Sequence, residues 1–426
     1  MGPGVFFMKK VVIVFLTAIL AANLTAQDFA ELVRKDPSLA AGNLCPYEYI
    51  ETALTPAPKG FHPVYVSHYG RHGSRYLSDS KDVDAVLPVI AAADSLGLLS
   101  QTGKDLYRDL RTVIAEMDGM YGMLTSRGAR EHFGIGSRLA GRFPEVFDDN
   151  ARIRAVSSIY PRCLLSMANM VMGINSETDD VKVDFITGDR YFAEYIYHRP
   201  EDVESPKKGV AAMHYEHRSR VSEPDVMTGH LFNDREKALA LIGDPHEFEF
   251  SLYRLCSIGH LTDSGIVLLK YFPYDQLMVN FLVNNSRFYY RYAVTEQFKE
   301  YQTAVASPLL KDFVSKADEV LESGYYAADL RFGHDTALLP LVTLIEIEGM
   351  ENCLPYEEVY PSWNISKQIC MGSNLQMIFY RNKSGKILVK FMYNEKETML
   401  PALEAVSGPY YDWPAVRKHF LTLCGE

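Results

Sequence analysis

Val64-Tyr65-Val66-Ser67 is a short run of β-branched and aromatic residues, and it leads at once into His68-Tyr69-Gly70-Arg71-His72-Gly73-Ser74-Arg75. The run reads as a buried strand, with two arginines and two histidines in the glycine-containing stretch after it. The pattern recurs. Residues 153–159 read as a second strand, and Pro161 suits the first turn of a helix that carries Arg162 and continues through Leu164, Leu165, Ala168, Val171 and Met172. Residues 327–332 read as a third strand, leading into Gly333-His334-Asp335. Apolar residues from 337 to 347 predict a helix after it, in which Pro340 must kink or crowd the first turns. Strand–helix alternation of this kind predicts an α/β core with a mostly parallel sheet. All three chemistry-bearing segments fall at the C-terminal ends of predicted strands, the edge of an open α/β sheet where ligands bind.

Further out, Leu106, Leu110, Val113, Ile114 and Met117 share one face of a predicted helix over 104–118. A second helix over 127–142 is closed by Phe143-Pro144. Residues 375–381 and 387–393 flank Asn382-Lys383-Ser384-Gly385, a hairpin signal. Residues 190–305 are rich in aromatics, charges and scattered histidines without strand alternation, and read as a largely helical insertion. The expected architecture is a three-layer core over about 27–190 and 306–426 with a mostly helical cap over about 190–305.

The chain has 426 residues, 47% hydrophobic and 23% charged, an ordinary globular balance long enough for two lobes. Lys9 and Lys10 precede an apolar stretch over 11–22, and Leu24-Thr25-Ala26 offers small residues for cleavage. This is the layout of a secretory signal peptide over 1–26, which implies a secreted or periplasmic protein. The apolar stretch is too short to span a bilayer, and no later one is long enough. Removal of the leader takes away two lysines and no acid, moving the formal charge from −11 to −13. So acidic a protein lacks the basic footprint of a nucleic-acid binder, and an anionic ligand must be drawn in by a local cationic site. Of the six cysteines, export permits one or two disulfides, with buried thiols as the rest. No Cys/His metal-ligand spacing occurs, and no metal or other cofactor is implied.

The three segments match what phosphoryl transfer requires. A phosphomonoester is a dianion that repels anionic nucleophiles, whereas the neutral imidazole of His72 can attack it. Arg71, Arg75 and Arg162 can hold the nonbridging oxygens through bidentate forks, with a further hydrogen bond from His334. Asp335 can protonate the leaving oxygen and then activate the water that hydrolyses the phosphohistidine. A general acid must start protonated, so hydrolysis should favour acidic conditions. Gly73 would let the backbone approach the phosphate. Singly, each residue has a plainer reading: solvated loop charges for Arg71 and Arg75, a structural role for His72, a helix N-cap for Asp335, a surface ion pair for Arg162.

Arg71-His72-Gly73-Ser74-Arg75 resembles the RHGxRxP signature of the histidine acid phosphatases, and Gly333-His334-Asp335-Thr336 resembles their GHDT segment. The Arg162-Cys163-Leu164-Leu165-Ser166 stretch is similar to their third-arginine segment. Leu124-Thr125-Ser126-Arg127-Gly128, Arg142-Phe143-Pro144 and Leu388-Val389-Lys390-Phe391-Met392-Tyr393-Asn394 resemble weaker family stretches, so the match runs in order from about residue 60 to 400. Leu77 stands where the signature has proline. The resemblance implies an α/β core with a helical cap, His72 as the phosphorylated nucleophile, Asp335 as general acid, and Arg71, Arg75, Arg162 and His334 as phosphate ligands. Within the family the chain looks most like multiple inositol polyphosphate phosphatases and bacterial phytase-like members, although those often have His-Ala-Glu in place of His334-Asp335-Thr336. The implied partner is a small phosphomonoester, inositol polyphosphates such as phytate among them. The alternatives are a broad-specificity or sugar-phosphate acid phosphatase and a non-catalytic phosphate-binding protein. His214, His217, Arg218 and Arg220 read either as cap contacts to extra phosphates or as a solvated helix face. A metal-dependent hydrolase built on His334-Asp335 lacks a partner set, an intracellular mutase-like phosphotransferase conflicts with export, and a serine hydrolase lacks GxSxG.

Overall fold

The structure is a computed structural model, and it describes residues 29–426 apart from 149, 179, 351 and 352. The expected leader over 1–26 lies outside the described residues. Strand β1 (Phe61–Arg71) contains the expected run and extends on to Arg71. It is paired on both flanks, and that pairing carries the extended backbone over His68-Tyr69-Gly70, which has no alternating pattern of its own.

Helices α1 (Lys81–Ser95), α2 (Gln101–Met117) and α3 (Ser126–Arg142) lead to β2 (Arg152–Ser157). Ser100 and Thr125 cap α2 and α3, each side chain accepting the N–H of a glycine three residues on. Helix α4 (Pro161–Asn175) starts on its proline and delivers the chain to β3 (Lys182–Thr187). Neither α1, which contains Pro88, nor β3, a half-exposed edge strand, is legible from residue pattern alone.

The chain then runs through α5 (Lys207–Val221), α6 (Pro224–Leu231), α7 (Arg235–Ile242), α8 (Pro245–Cys256) and α9 (Tyr274–Tyr292). The long α10 (Lys299–Ser323) straddles the boundary expected near 305 and returns the chain to β4 (Ala328–Gly333). Helix α11 (Asp335–Leu344) continues across Pro340, whose missing N–H leaves one carbonyl of the first turn without its helical donor. The hairpin follows as β5 (Asn374–Asn382) and β6 (Ile387–Tyr393), then β7 (Lys396–Thr398), β8 (Tyr410–Asp412) and α12 (Trp413–Leu423).

The sheet order is β3-β2-β4-β1-β5-β6-β7, with β8 beside β6. From β3 to β1 the pairing is parallel; from β1 to β7 it is antiparallel. The parallel half is the one that strand–helix alternation predicts, and the hairpin adds the antiparallel half. Strand β4 shows the layering. Arg331 meets Asp312 and Phe313 of α10, while its neighbour Phe332 meets His132 of α3. Successive side chains point to opposite faces, so α3 and α10 cover opposite sides. All six cysteines are thiols, four of them buried, and no disulfide forms. Among the described residues no helix is long and apolar enough to cross a membrane.

Helices α3 and α4 cross at almost bare backbone. A Cβ on Gly136 would lie 2.0 Å from the Met170 carbonyl oxygen, and one on Gly173 would lie 2.0 Å from that of Phe133. Neither obstacle is a side chain that can swing away, so Gly136→Ala must push the helices apart. Overpacking of this kind costs about 1–3 kcal/mol. Urea denaturation of Gly136→Ala should show a lowered midpoint of that size; an unchanged midpoint would contradict the close crossing.

Candidate active site

Strands β2, β4 and β1 are adjacent and parallel, so their C-terminal ends lie side by side. Arg71 pairs with Gly333, and Ser157 with Phe332. Past the ladder, the His72 N–H donates to the Gly333 carbonyl at 2.9 Å and the Ser158 N–H to that of Phe332 at 2.8 Å. The three segments singled out in the sequence therefore leave the sheet at one level.

The loop after β1 is clamped from α3. The buried carboxylate of Glu131 accepts from the Ser74 N–H at 2.7 Å, the Ser74 hydroxyl at 2.6 Å and the Tyr47 N–H at 3.2 Å. Its neighbour His132 donates from Nε2 to the Arg71 carbonyl at 3.0 Å. Gly73 sits on the first turn of α3, where a Cβ would come 2.6 Å from the Gly128 carbonyl oxygen, and its N–H donates to Ser166 Oγ of α4. Helix packing therefore requires a glycine at position 73, a structural reason beside the role that sequence suggests.

His72 Nδ1 lies 2.9 Å from the Gly73 carbonyl. A carbonyl only accepts, so Nδ1 carries the proton and Nε2 keeps its lone pair. Burial first, and then the charges of Arg162, Arg71 and Arg75, hold this imidazole well below its ordinary range, so it stays neutral in acid. Arg75 donates to the Tyr76 carbonyl at 2.7 Å, and its Nε is buried without a partner. Burial and the neighbouring Arg162 and Arg71 push its guanidinium down to about 9. Arg162 stacks on the Tyr160 ring at 4.6 Å, and Arg199 on Tyr197 at 4.9 Å, so aromatic faces hold both cations.

Arg71 is placed differently. It is wholly buried, donates from one nitrogen to the carbonyls of Asn43 and Ile369 at 2.7 Å each, and pairs with Asp335 Oδ2 at 2.8 Å. It stands behind the cavity as the counter-charge of Asp335; its Nη2 makes the ion pair, and its Nε has no partner among the described residues. Asp335 is the first residue of α11 and caps nothing; His334 holds the N-cap position. Asp335 Oδ2 also receives the Asn43 side-chain N–H at 3.0 Å. Burial raises the Asp335 carboxyl, but Arg71, the Asn43 hydrogen bond, Arg75 and His334 together outweigh it and hold the group below its ordinary value. His334 Nε2 lies 3.0 Å from Ser158 Oγ, and burial together with Arg162 holds its ring down to about 3.

His72, Arg75, Arg162, His334 and Asp335 line one cavity of about 300 Å³, walled by Tyr160, Phe192, Tyr197, Phe288 and Tyr292. A second cavity of about 200 Å³ shares Asn43, Arg75, Ser78, Phe288 and Tyr292 with it and adds Arg254, Arg287 and Arg291. Arg254 pairs with Asp82 at 3.0 Å. Arg287 has no carboxylate partner among the described residues: it donates to Asn284 Oδ1 at 2.7 Å, its Nε is buried and unpartnered, and burial and Arg254 bring it down to about 10. His214, His217, Arg218 and Arg220 line neither cavity. His214 packs on Phe250, His217 on Tyr356, and the two arginines pair with Glu247 and Glu357. His214 and Arg218 are buried, so the group is not a solvated face either. Among the described residues no three His, Cys, Asp or Glu side chains are grouped to hold a metal ion.

This architecture has solved counterparts. A multiple inositol polyphosphate phosphatase from Bifidobacterium longum, in complex with inositol hexasulfate, matches with TM-score 0.71 and 19% identity over 89% of this chain and 97% of that one. The phytase from D. castellii matches with TM-score 0.69 and 15% identity over 91% and 88%. The Hafnia alvei phytase in complex with tartrate matches with TM-score 0.55 and 13% identity over 86% and 99%. The chain shares the fold of these phosphatases. At the level of sequence, no family model and no curated protein matches it. Arg142, from one of the weaker stretches that carried the resemblance, has a structural role: with Arg138 and the Tyr47 hydroxyl it holds the buried Glu395, just after β6.

Beneath the loop, His68 and His132 are buried neutral, His132 held down to about 4 by burial against the Arg71 hydrogen bond that raises it. A histidine whose folded value is depressed binds its proton only in the unfolded chain, so its contribution is intact above about 6.5 and is lost as pH falls towards 4. For His132 the loss is about 3 kcal/mol. Chemical denaturation at pH 7 and pH 4.5 should show His132→Gln losing markedly less stability on acidification than the parent chain; equal losses would contradict a neutral His132.

Proposed function

We propose that this protein is an exported histidine acid phosphatase that hydrolyses phosphomonoesters through a phosphohistidine on His72, with polyphosphorylated substrates such as inositol polyphosphates favoured. One observation carries the reading. The Gly73 carbonyl fixes the proton on His72 Nδ1, leaving Nε2 as a neutral nucleophile beside Arg75 and Arg162 and across from the Asp335 carboxylate. The shared fold with phosphatases supports it, and the signature segments support the family assignment.

In the proposed sequence the phosphoryl oxygens meet Arg75, Arg162 and His334, and Nε2 attacks phosphorus as the ester oxygen departs with a proton. A ring already neutral in acid has no proton of its own to lose before attack. Charge that builds on the equatorial oxygens is met by cations that burial and stacking have already fixed in place. Water then attacks the phosphohistidine, giving its proton to the Asp335 carboxylate, and phosphate leaves.

The depressed Asp335 carboxyl decides where the first proton comes from. In the empty site Asp335 is ionised down to low pH, so a substrate monoanion brings the proton in and Asp335 passes it to the leaving oxygen. Phosphomonoesters lose that proton at about pH 6. With an alkyl phosphate, kcat/KM should therefore fall about tenfold per pH unit above roughly 6. A profile that rises through pH 8 would remove this route.

The second, arginine-lined cavity is what favours several phosphates over one. Arg75 belongs to both cavities, and Arg287 has no anionic partner among the described residues. Phosphate release by residues 27–426, assayed with chelator present, should occur with an aryl phosphate and with inositol hexakisphosphate and be abolished by His72→Ala. Arg287→Ala should raise KM for inositol hexakisphosphate by about tenfold or more while barely changing the aryl phosphate, since a charged hydrogen bond is worth about 1.5–3 kcal/mol. Equal effects on both substrates would favour the broad acid phosphatase. Phosphate bound without turnover by either chain would favour the binding protein.

A further inference from the structure

Asn43 lies outside every segment that resembles a known motif, yet it touches both halves of the charge pair at the back of the cavity. Its carbonyl accepts from Arg71 at 2.7 Å, and its side-chain N–H donates to Asp335 Oδ2 at 3.0 Å. It lies next to the end of a short 3-10 segment, Pro37–Leu44, that bends sharply at Gly42 (φ 64°). The bend packs against α9, where a Cβ on Gly42 would come 2.9 Å from Asn284 Nδ2. Beyond it, the Cys45 carbonyl accepts from the Met371 N–H at 2.8 Å, tying the segment to the loop before β5. Asn43 is therefore held from both sides, and it lines both cavities.

Arg71 and Asn43 converge on the same oxygen of Asp335, Oδ2, the first through an ion pair and the second through a hydrogen bond. Among the described residues none donates to Oδ1. An ion pair and a hydrogen bond on one carboxylate oxygen hold that oxygen in place and leave the other to exchange a proton. We propose that Asn43 is a positioning residue for proton transfer: by holding Oδ2 it aims Oδ1 of Asp335 at the leaving oxygen and later at the attacking water. This rests on the phosphatase reading above.

The groups that face Asp335 are Arg71 and Tyr69 from β1, His72 and Arg75 from the loop after it, His334 before it, Cys163 from α4 and Tyr292 from α9. Of these only the arginines are charged in acid, and neither moves when the Asn43 side chain is cut back, because Arg71 is held by the Asn43 backbone and not by its amide.

The test uses leaving groups. 4-Nitrophenolate departs without protonation, whereas the alkoxide of glycerol phosphate does not. Asn43→Ala, Asn43→Asp and Asp335→Asn would be compared with the parent chain on both esters, with inhibition by inorganic phosphate as the measure of phosphate binding. Asn43→Ala should lose about 10–100-fold in kcat on glycerol phosphate but only a few-fold on the nitrophenyl ester, with phosphate inhibition unchanged. Asn43→Asp sets a second carboxylate against Oδ2 and should move the alkaline limb of kcat upward by about one pH unit or more. Equal losses of Asn43→Ala on both esters, or an unmoved limb in Asn43→Asp, would overturn the positioning role. Asp335→Asn separates the two levels. If it too lacks leaving-group dependence, the proton-donor role of Asp335 fails; if it alone shows that dependence, only the role of Asn43 fails.

Discussion

The hydrogen bond from the His72 N–H to the Gly333 carbonyl closes the parallel ladder between β1 and β4 at the point where both segments leave the sheet. Its register sets Arg71 beside Gly333, and everything chemical in the site follows from that alignment. A shift by one residue would turn Arg71 to the other face of the sheet. The sheet also changes character at β1, parallel on the β4 side and antiparallel on the β5 side, so the loop at 72–75 emerges where the topology switches. The Glu131 carboxylate and the glycine contact between Gly73 and Gly128 then hold that loop against α3.

The second theme is charge gathered against the protein's own sign. A chain of net charge −11 collects Arg75, Arg162, Arg199, Arg254, Arg287 and Arg291 around two joined cavities. Guanidinium ions are kept there by the ring faces of Tyr160 and Tyr197 and by backbone carbonyls, and only Arg254 among them has a carboxylate partner among the described residues. Burial first, and then this crowding, lowers Arg75 and Arg287 and keeps His72 and His334 neutral, while Arg71 and the Asn43 hydrogen bond, with help from Arg75, keep Asp335 ionised. The charges that attract an anion thus also contribute, beside burial, to the protonation states needed to act on it.

Much of this was legible in the sequence, and what was not has identifiable causes. Three strand ends carrying Arg71-His72, Arg162 and His334-Asp335 could be read because local pattern and motif coincide there. The buried placement of Arg71 could not, because it depends on carbonyls of Asn43 and Ile369 from distant parts of the chain. Attention to His214, His217, Arg218 and Arg220 was misdirected by their density along one helix; two of them are buried and none lines either of the two site cavities. The cap residues that do line one were in plain view: Asn284, Arg287, Phe288, Arg291 and Tyr292 recur at helical spacing on one face of α9. Asn43 offered no local signal, since its role comes from long-range contacts of an irregular segment.

The most direct test of the account is to look for the phosphoryl group on His72. A phosphomonoester labelled in its phosphate would be mixed with excess enzyme, quenched in alkali within milliseconds, and the peptides mapped by mass spectrometry. The account predicts transient label on Nε2 of His72, formed and lost at rates compatible with turnover, and absent from His72→Ala. Turnover without label on His72, or label on another residue, would contradict it.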